Sequence, residues 1–364
     1  MKHILTSAAA LFAAAAGANA GGVERSTQSV AILFEQGSYA ELSFGNFSPD
    51  VSGSVGGGAL GSGDMSPSYN SFSLGYKMDL NDRLALAVII DEPIGADVAY
   101  PGTPGLGAYP IAGTTAELNS TALTTLLRYK LENNFSVYGG LRIQRSDGTV
   151  NIKAPGLGLA NYGLVTSTET DVGYVVGIAW EKPEIAARVA LTYNSAITHD
   201  LTSTETGLAA VALNSSFETE VPQSVNLEFQ TGIAKDTLLF GSIRWVDWSE
   251  FTIDPTYYPG GALVDYANDR TTYNVGIGRR FSDQWSGAVT LGYEASDGVA
   301  TGNLGPTDGM TSVGVAATYT MDTVKITAGV RYVDIGDATT EAPLSARFTG
   351  NDGVGVGVRI GYSF

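Results

Sequence analysis

The final residues of the chain alternate without a break. Val354, Val356, Val358, Ile360, Tyr362 and Phe364 are apolar, while Gly355, Gly357, Arg359, Gly361 and Ser363 between them are small or polar. Successive side chains of a strand point to opposite faces, so the pattern predicts a strand with one greasy and one small or polar face. A soluble sandwich produces the same alternation. Here, however, the aromatics gather at one end of the strand, as an interfacial girdle in a membrane requires.

The texture recurs upstream. Phe72, Leu74, Tyr76, Met78 and Leu80 alternate within 69–80, and Leu123, Leu127, Tyr129 and Leu131 share a face of 122–131. The runs 135–145, 172–180 and 185–193 repeat it, and 323–333 does so more weakly. Each run is about the 9–11 residues that a tilted strand needs to cross a bilayer. Short polar connections at 81–82, 132–134, 181–184, 235–236, 282–284 and 321–322 alternate with long Gly, Pro, Ser and Thr-rich stretches at 48–68, 93–116, 147–168, 195–217, 253–271, 295–310 and 334–351. Sorting of loops by length is the mark of a transmembrane barrel with short inner turns and long outer loops. The expectation is an all-β fold: an antiparallel transmembrane barrel of fourteen strands, with the strand ending at Phe364 closing against one that begins near Tyr39.

Lys2 and His3, an apolar run to Ala16 and the small-x-small Ala18-Asn19-Ala20 predict a secretory signal peptide over 1–20. That leaves a short N-terminal plug at 21–36 and the barrel at 37–364. Charged residues make up only 16% of the chain, below the ~25% of a water-soluble domain. A net charge of −17 argues against nucleic acid and against binding to anionic lipid surfaces. Without cysteine, and with His199 alone beyond the leader, thiolate and multi-histidine metal sites are excluded.

Four segments carry a family likeness: 25–35 (RSTQSVAILFE), 37–43 (GSYAELS), Asp91-Glu92-Pro93-Ile94-Gly95-Ala96, and Arg244-Trp245-Val246-Asp247-Trp248-Ser249-Glu250-Phe251. They resemble the FadL/TodX family of outer-membrane transporters of long-chain fatty acids and other hydrophobic compounds. The terminal Phe364 resembles the recognition signal of outer-membrane barrels. The resemblance implies a Gram-negative outer-membrane location and a monomer in contact with membrane lipid and lipopolysaccharide. It also implies a barrel closed by an N-terminal hatch, capture of ligand outside, an internal pocket, and sideways release through the wall. Family members often carry an Asn-Pro-Ala turn in a longer hatch; none occurs here.

The candidate residues follow from that chemistry. An outer capture groove would use Leu157 and Leu159, Leu208, Val211 and Leu213, and Tyr100 and Leu106 from 93–116; the same residues could instead pack on one another to close the mouth. Arg142, Arg188, Arg244 and Arg359 face inward by alternation and could hold a carboxylate head group, or pair with Glu41, Asp171 and Glu228 to fill the interior. Pro93 and Gly95 are candidates for a lateral opening, since Pro removes a ladder donor and Gly tolerates a bend. Trp245 and Trp248 read as lipid-interface or strand-packing residues. No enzyme chemistry is expected: a hydrolase would need His199, which falls in an expected outer loop without a nucleophile motif. Asp334, Asp337 and Glu341 offer oxygen ligands without fixed spacing, so they read as a solvated rim, and neither metal nor cofactor is expected. A general or anion-selective porin, which a trimer would favour, and an adhesion or structural barrel are the alternatives.

Overall fold

The computed structural model describes residues 22–105, 107–157 and 161–364. The signal peptide reading, Leu106 and Leu159 lie outside the described residues.

Eighteen strand segments form one sheet that closes on itself as fourteen barrel strands. They are β1 (Tyr39–Asp50), β2 (Tyr69–Asp79), β3 in two pieces (Leu84–Asp91, Ala96–Ala99), β4 (Thr115–Lys130), β5 (Phe135–Ile152), β6 in two pieces (Tyr162–Thr166, Glu169–Lys182), β7 in two pieces (Ala187–Asn194, Ile197–Thr206) and β8 in two pieces (Leu213–Val221, Ser224–Ala234). There follow β9 (Thr237–Val246), β10 (Arg270–Arg280), β11 (Trp285–Glu294), β12 (Met310–Met321), β13 (Val324–Ile335) and β14 (Asn351–Ser363). β14 closes on β1 from Tyr39 opposite Ser363 to Asp50 opposite Asp352. Closure pairs the first strand with the last, the condition for strands to cross hydrocarbon with their backbone satisfied.

The alternation sorts residues as the sequence predicts. Leu141, Val289, Leu291, Val356 and Ile360 point outward and are 44–57% exposed, while Arg142, Ala288 and Arg359 beside them are buried. Outward aromatics form two belts. Tyr129, Phe135, Trp285 and Tyr362 lie beside the short turns, and Tyr174, Tyr273, Tyr293 and Tyr332 lie toward the loops. Such girdles mark the two membrane interfaces.

Beyond the outer belt the strands continue into water, and here the expected loops need correction. The stretch 195–217 is mostly strand: Ile197–Thr206 pairs with Leu213–Val221 and leaves only a short connection. Likewise β5 runs on to Ile152, and Tyr162–Thr166 and Ala96–Ala99 are ladder segments. These extensions are rich in Thr, Ser and Glu because both faces meet water or polar lumen, so hydropathy alone reads them as loop. His199 is therefore on a strand, with its side chain buried in the lumen. Outside the membrane, Gly53–Val55, Leu60–Gly61, Ala338–Thr339 and Arg347–Phe348 make a small sheet that joins two loops. An apolar cluster that includes Tyr100, Tyr109, Ile111 and Phe348 packs beneath it.

Candidate functional site: an apolar cavity above the N-terminal segment

The segment 22–36 runs inside the barrel. Val30, Ile32, Leu33 and Phe34 pack on the small lumen residues Ala87, Ala179 and Ala190 and on Leu126, Tyr138 and Val175. The ring of Phe34 holds two guanidinium groups by cation–π contact, that of Arg128 4.4 Å and that of Arg188 4.5 Å from its centre. Polar ties reach around the wall: Glu24 pairs with Arg244, Gln28 accepts from Arg142, Ser29 donates to Glu228 at 2.6 Å, and Asn226 donates to the Thr27 carbonyl at 2.8 Å. Trp248 is 2% exposed and packs on Phe251 and Tyr266 above the segment. It is thus an internal packing residue, whereas Trp245, half-buried at the outer girdle, donates to Asp269 at 3.2 Å.

Next to this segment the wall is open. β3 breaks at Glu92–Gly95, where Pro93 leaves the ladder and its carbonyl accepts from the Arg25 and Ser26 amides. β2 pairs with β3 only from Leu74 to Asp79, and the second piece of β3 pairs with β4 alone. The stretch Tyr69–Ser73 of β2 therefore has β1 on one side and no ladder on the other. Arg25 bridges this gap: it ion-pairs with Asp97 beyond the break and stands 4.1 Å from the centre of the Tyr69 ring on β2. Gly95 makes room for it, since a Cβ there would lie 2.6 Å from Arg25 Nε.

Above lies a cavity of about 230 Å³. Its walls are mostly apolar, with Phe47, Leu118, Leu164, Phe217, Val264 and Tyr266 from five parts of the chain, and Gly22–Arg25 and Ile94–Asp97 lie along it. Its inward cations are committed: Arg25 to Asp97, and Arg270 to Asp297 and Asp308. Burial pushes the Asp308 carboxyl up, but hydrogen bonds from Ser296 and the Gly298 and Asp297 amides, with Arg270 beside it, outweigh burial and hold it below the usual carboxylate range. Glu117, Asp147 and Asp265 add negative charge to the lining. A second cavity, of about 150 Å³, lies beside the N-terminal segment and is ringed by Arg188, Arg244, Arg331, Arg359, Glu35, Glu41, Asp91 and Glu228.

The expected site residues are distributed as follows. Gly95 lines the large cavity, and Pro93 sits in the adjoining break. Arg188, Arg244 and Arg359 line the polar cavity, and Arg359 reaches Glu41 at 3.9 Å, one of the partners expected from sequence. Asp171, another expected partner, instead meets His199. Tyr100 is buried, stacked on Tyr109 at 5.4 Å, and donates to the Asn303 carbonyl at 2.6 Å; burial raises both phenols, Tyr109 to about 12. Leu157 packs on the same cluster, Leu208 packs on the cluster of Tyr162, Leu164 and Leu263, Leu213 is half-buried, and Val211 is 69% exposed. Sequence reasoning missed Leu118, Leu164, Phe217 and Val264, which alternate like any strand residue until the barrel brings them together.

Comparison with known families gives a match over residues 46–339 to the outer membrane protein transport protein family, OMPP1/FadL/TodX. The chain belongs to this family. As an OMPP1/FadL/TodX member it is an outer-membrane β-barrel. Among solved structures it is similar to a Pseudomonas aeruginosa FadL homologue, at 16% identity, 92% coverage of each chain and a TM-score of 0.75. It is similar also to the Pseudomonas putida toluene transporter TodX, at 11% identity, 96% coverage of each chain and 0.66, and to the monoaromatic hydrocarbon channel CymD, at 13% identity, 91% and 89% coverage and 0.59. At these identities the likeness is one of fold. Comparison with curated proteins yields no match.

Proposed function

We propose that this OMPP1/FadL/TodX protein is a passive channel for uncharged hydrophobic compounds, which enter the apolar cavity from outside and leave sideways between β2 and β3. The observation that carries the reading is the position of the cavity: its lining includes Tyr69, Gly95 and Asp97 on the two sides of the wall gap. The route straight down meets the N-terminal segment and a cavity ringed by charge, where an apolar solute would crowd charged groups without offering them a hydrogen bond. The sideways route ends in hydrocarbon and requires only that the Arg25–Asp97 pair spanning the gap give way. Exposed Val211, with Leu208 and Leu213 beside it, offers the outer capture surface.

The charge pattern favours hydrocarbons over fatty-acid anions. A carboxylate would meet paired guanidinium groups and an excess of acidic side chains. The volume is ample, since a cavity on the order of 150 Å³ already holds benzene. Arg142 and Arg244 bind the N-terminal segment, so we assign them to holding a plug, not to a ligand head group. The chain acts as a monomer in this reading, with its wall against membrane lipid and lipopolysaccharide.

The test compares toluene and oleate uptake in cells that lack other hydrophobic channels. Expression should raise toluene uptake, and Leu118→Trp, which fills the cavity, should abolish the gain. Liposomes containing the protein that pass sugars and ions freely, with no apolar compound bound, would refute the proposal and indicate a porin.

A further inference from the structure

The wall has a second interruption, between β6 and β7. Their ladders are intact below, from Lys182 opposite Ala187 to Val175 opposite Asn194, and above, from Thr166 opposite Ser203 to Gly163 opposite Thr206. Between them no ladder joins 168–173 to 196–201. Each strand carries one extra residue, Ser195–Ala196 on β7 below and Ser167–Thr168 on β6 above, where its two pieces meet. These opposed bulges put the intervening residues one position out of register. Gly173 now faces Ile197, whose Cγ1 would lie 2.7 Å from a Cβ at Gly173, and Asp171 faces His199. On its other side β6 keeps its ladders with β5 across the same one-residue shift, whereas toward β7 the stretch 168–173 makes none.

What closes the window is side chains. His199 Nδ1 lies 2.7 Å from Asp171 Oδ2, and its Nε2 lies 3.3 Å from Ser146 Oγ on β5. His199 is 1% exposed, but the Asp171 side chain is 38% exposed. Ser146, His199, Leu201 and Thr219 line the apolar cavity, so the window opens onto it. The Thr219 hydroxyl, opposite His199 on β8, is buried with no hydrogen-bond partner. The outward Tyr174 and Tyr193 of the outer girdle lie just below, at 6.0 Å from each other, so the window stands at head-group level rather than in hydrocarbon.

We propose that this window is a second port, through which an uncharged aromatic solute with a hydroxyl substituent passes from the lipopolysaccharide head-group layer into the cavity. Glu169 and Asp171 at its rim repel carboxylates, and Thr219 supplies a hydrogen bond to the hydroxyl. The inference rests on the transport reading above. It differs from the β2–β3 gap in level and in closure, since there Arg25 of the N-terminal segment spans the opening.

The chain has no cysteine, so Asp171→Cys in the full-length protein carries the sole thiol. Uptake of 1-naphthol is measured in cells before and after treatment with a bulky, membrane-impermeant methanethiosulfonate. A several-fold fall that reductant reverses supports the port. Complete modification without change in uptake, while modified Ser71→Cys at the β2–β3 gap does block, overturns the port and leaves sideways release standing. No uptake above channel-free cells in any variant overturns the transport reading itself. His199→Ala, which removes the closing side chain from the other strand, should raise uptake; unchanged uptake with the barrel intact on unheated gels counts against the port.

Discussion

Removing the carboxylate of Glu24 should loosen the N-terminal segment without opening the barrel. Glu24 is 4% and Arg244 5% exposed, and Arg244 otherwise holds Ser224 Oγ at 3.0 Å and Asn226 Oδ1 at 2.6 Å. Glu24→Ala leaves the guanidinium buried with only neutral acceptors, and breaking a buried pair this way costs about 3–5 kcal/mol. At about 1.4 kcal/mol per tenfold, docking of this part of the segment weakens by two to three and a half orders of magnitude. The backbone ties of Arg25 and Ser26 to Pro93, and the anchor of Phe34, hold the rest. The expected result is protease cleavage near the start of the segment and raised single-channel conductance in planar bilayers, with unchanged barrel mobility on unheated gels. Glu24→Ala with Arg244→Met should recover most of the closure, because the orphaned charge is gone. A double variant as leaky as the single one, or a single variant indistinguishable from the parent, would refute the argument that this pair latches the segment.

Three further outcomes follow from the same structure. Gly95→Val places a side chain where Arg25 lies, an overpacking of about 1–3 kcal/mol, so the Arg25–Asp97 pair should give way and toluene uptake should change while barrel stability, read by heat-modifiable mobility, holds. Val289→Arg puts a charge on the outward face between the girdles and should destabilise the barrel by about 2–4 kcal/mol in urea titration from lipid vesicles; the same change at exposed Val299, in the loop after β11, should cost little. The Asp308 carboxyl is held below its usual range, so its contribution to the loop is complete above the unfolded value and is lost as pH falls through the folded one. Hydrogen exchange at the Asp297 and Gly298 amides should therefore accelerate in acid below the ordinary carboxylate range, and Asp308→Asn should abolish that dependence.

Strand number, strand orientation and the closing pair were legible because one face of every membrane strand meets hydrocarbon. The alternation of Val354 to Phe364 reports that contact residue by residue. The gap was legible only in part: Pro93 and Gly95 signal a broken ladder, but Arg25 and Tyr69, far apart in sequence, meet only in the barrel. The strand extensions 197–206 and 213–221 were misread as loop because neither face there meets lipid, so His199 was placed outside instead of against Asp171. The alternation set the arginines facing inward, yet Gln28 and Glu24, which take up Arg142 and Arg244, lie in a segment with no periodicity of its own.

By itself, then, the sequence determined which residues face the membrane, how many times the chain crosses, and on which side the connections are long, since each depends on local contact with one solvent or another. Only the tertiary structure decided where the ladders fail, what spans the openings, and which scattered apolar side chains share one cavity. Those depend on register between strands, and register is set by bulges and by the packing of 22–36 inside the barrel, contacts that no local pattern records.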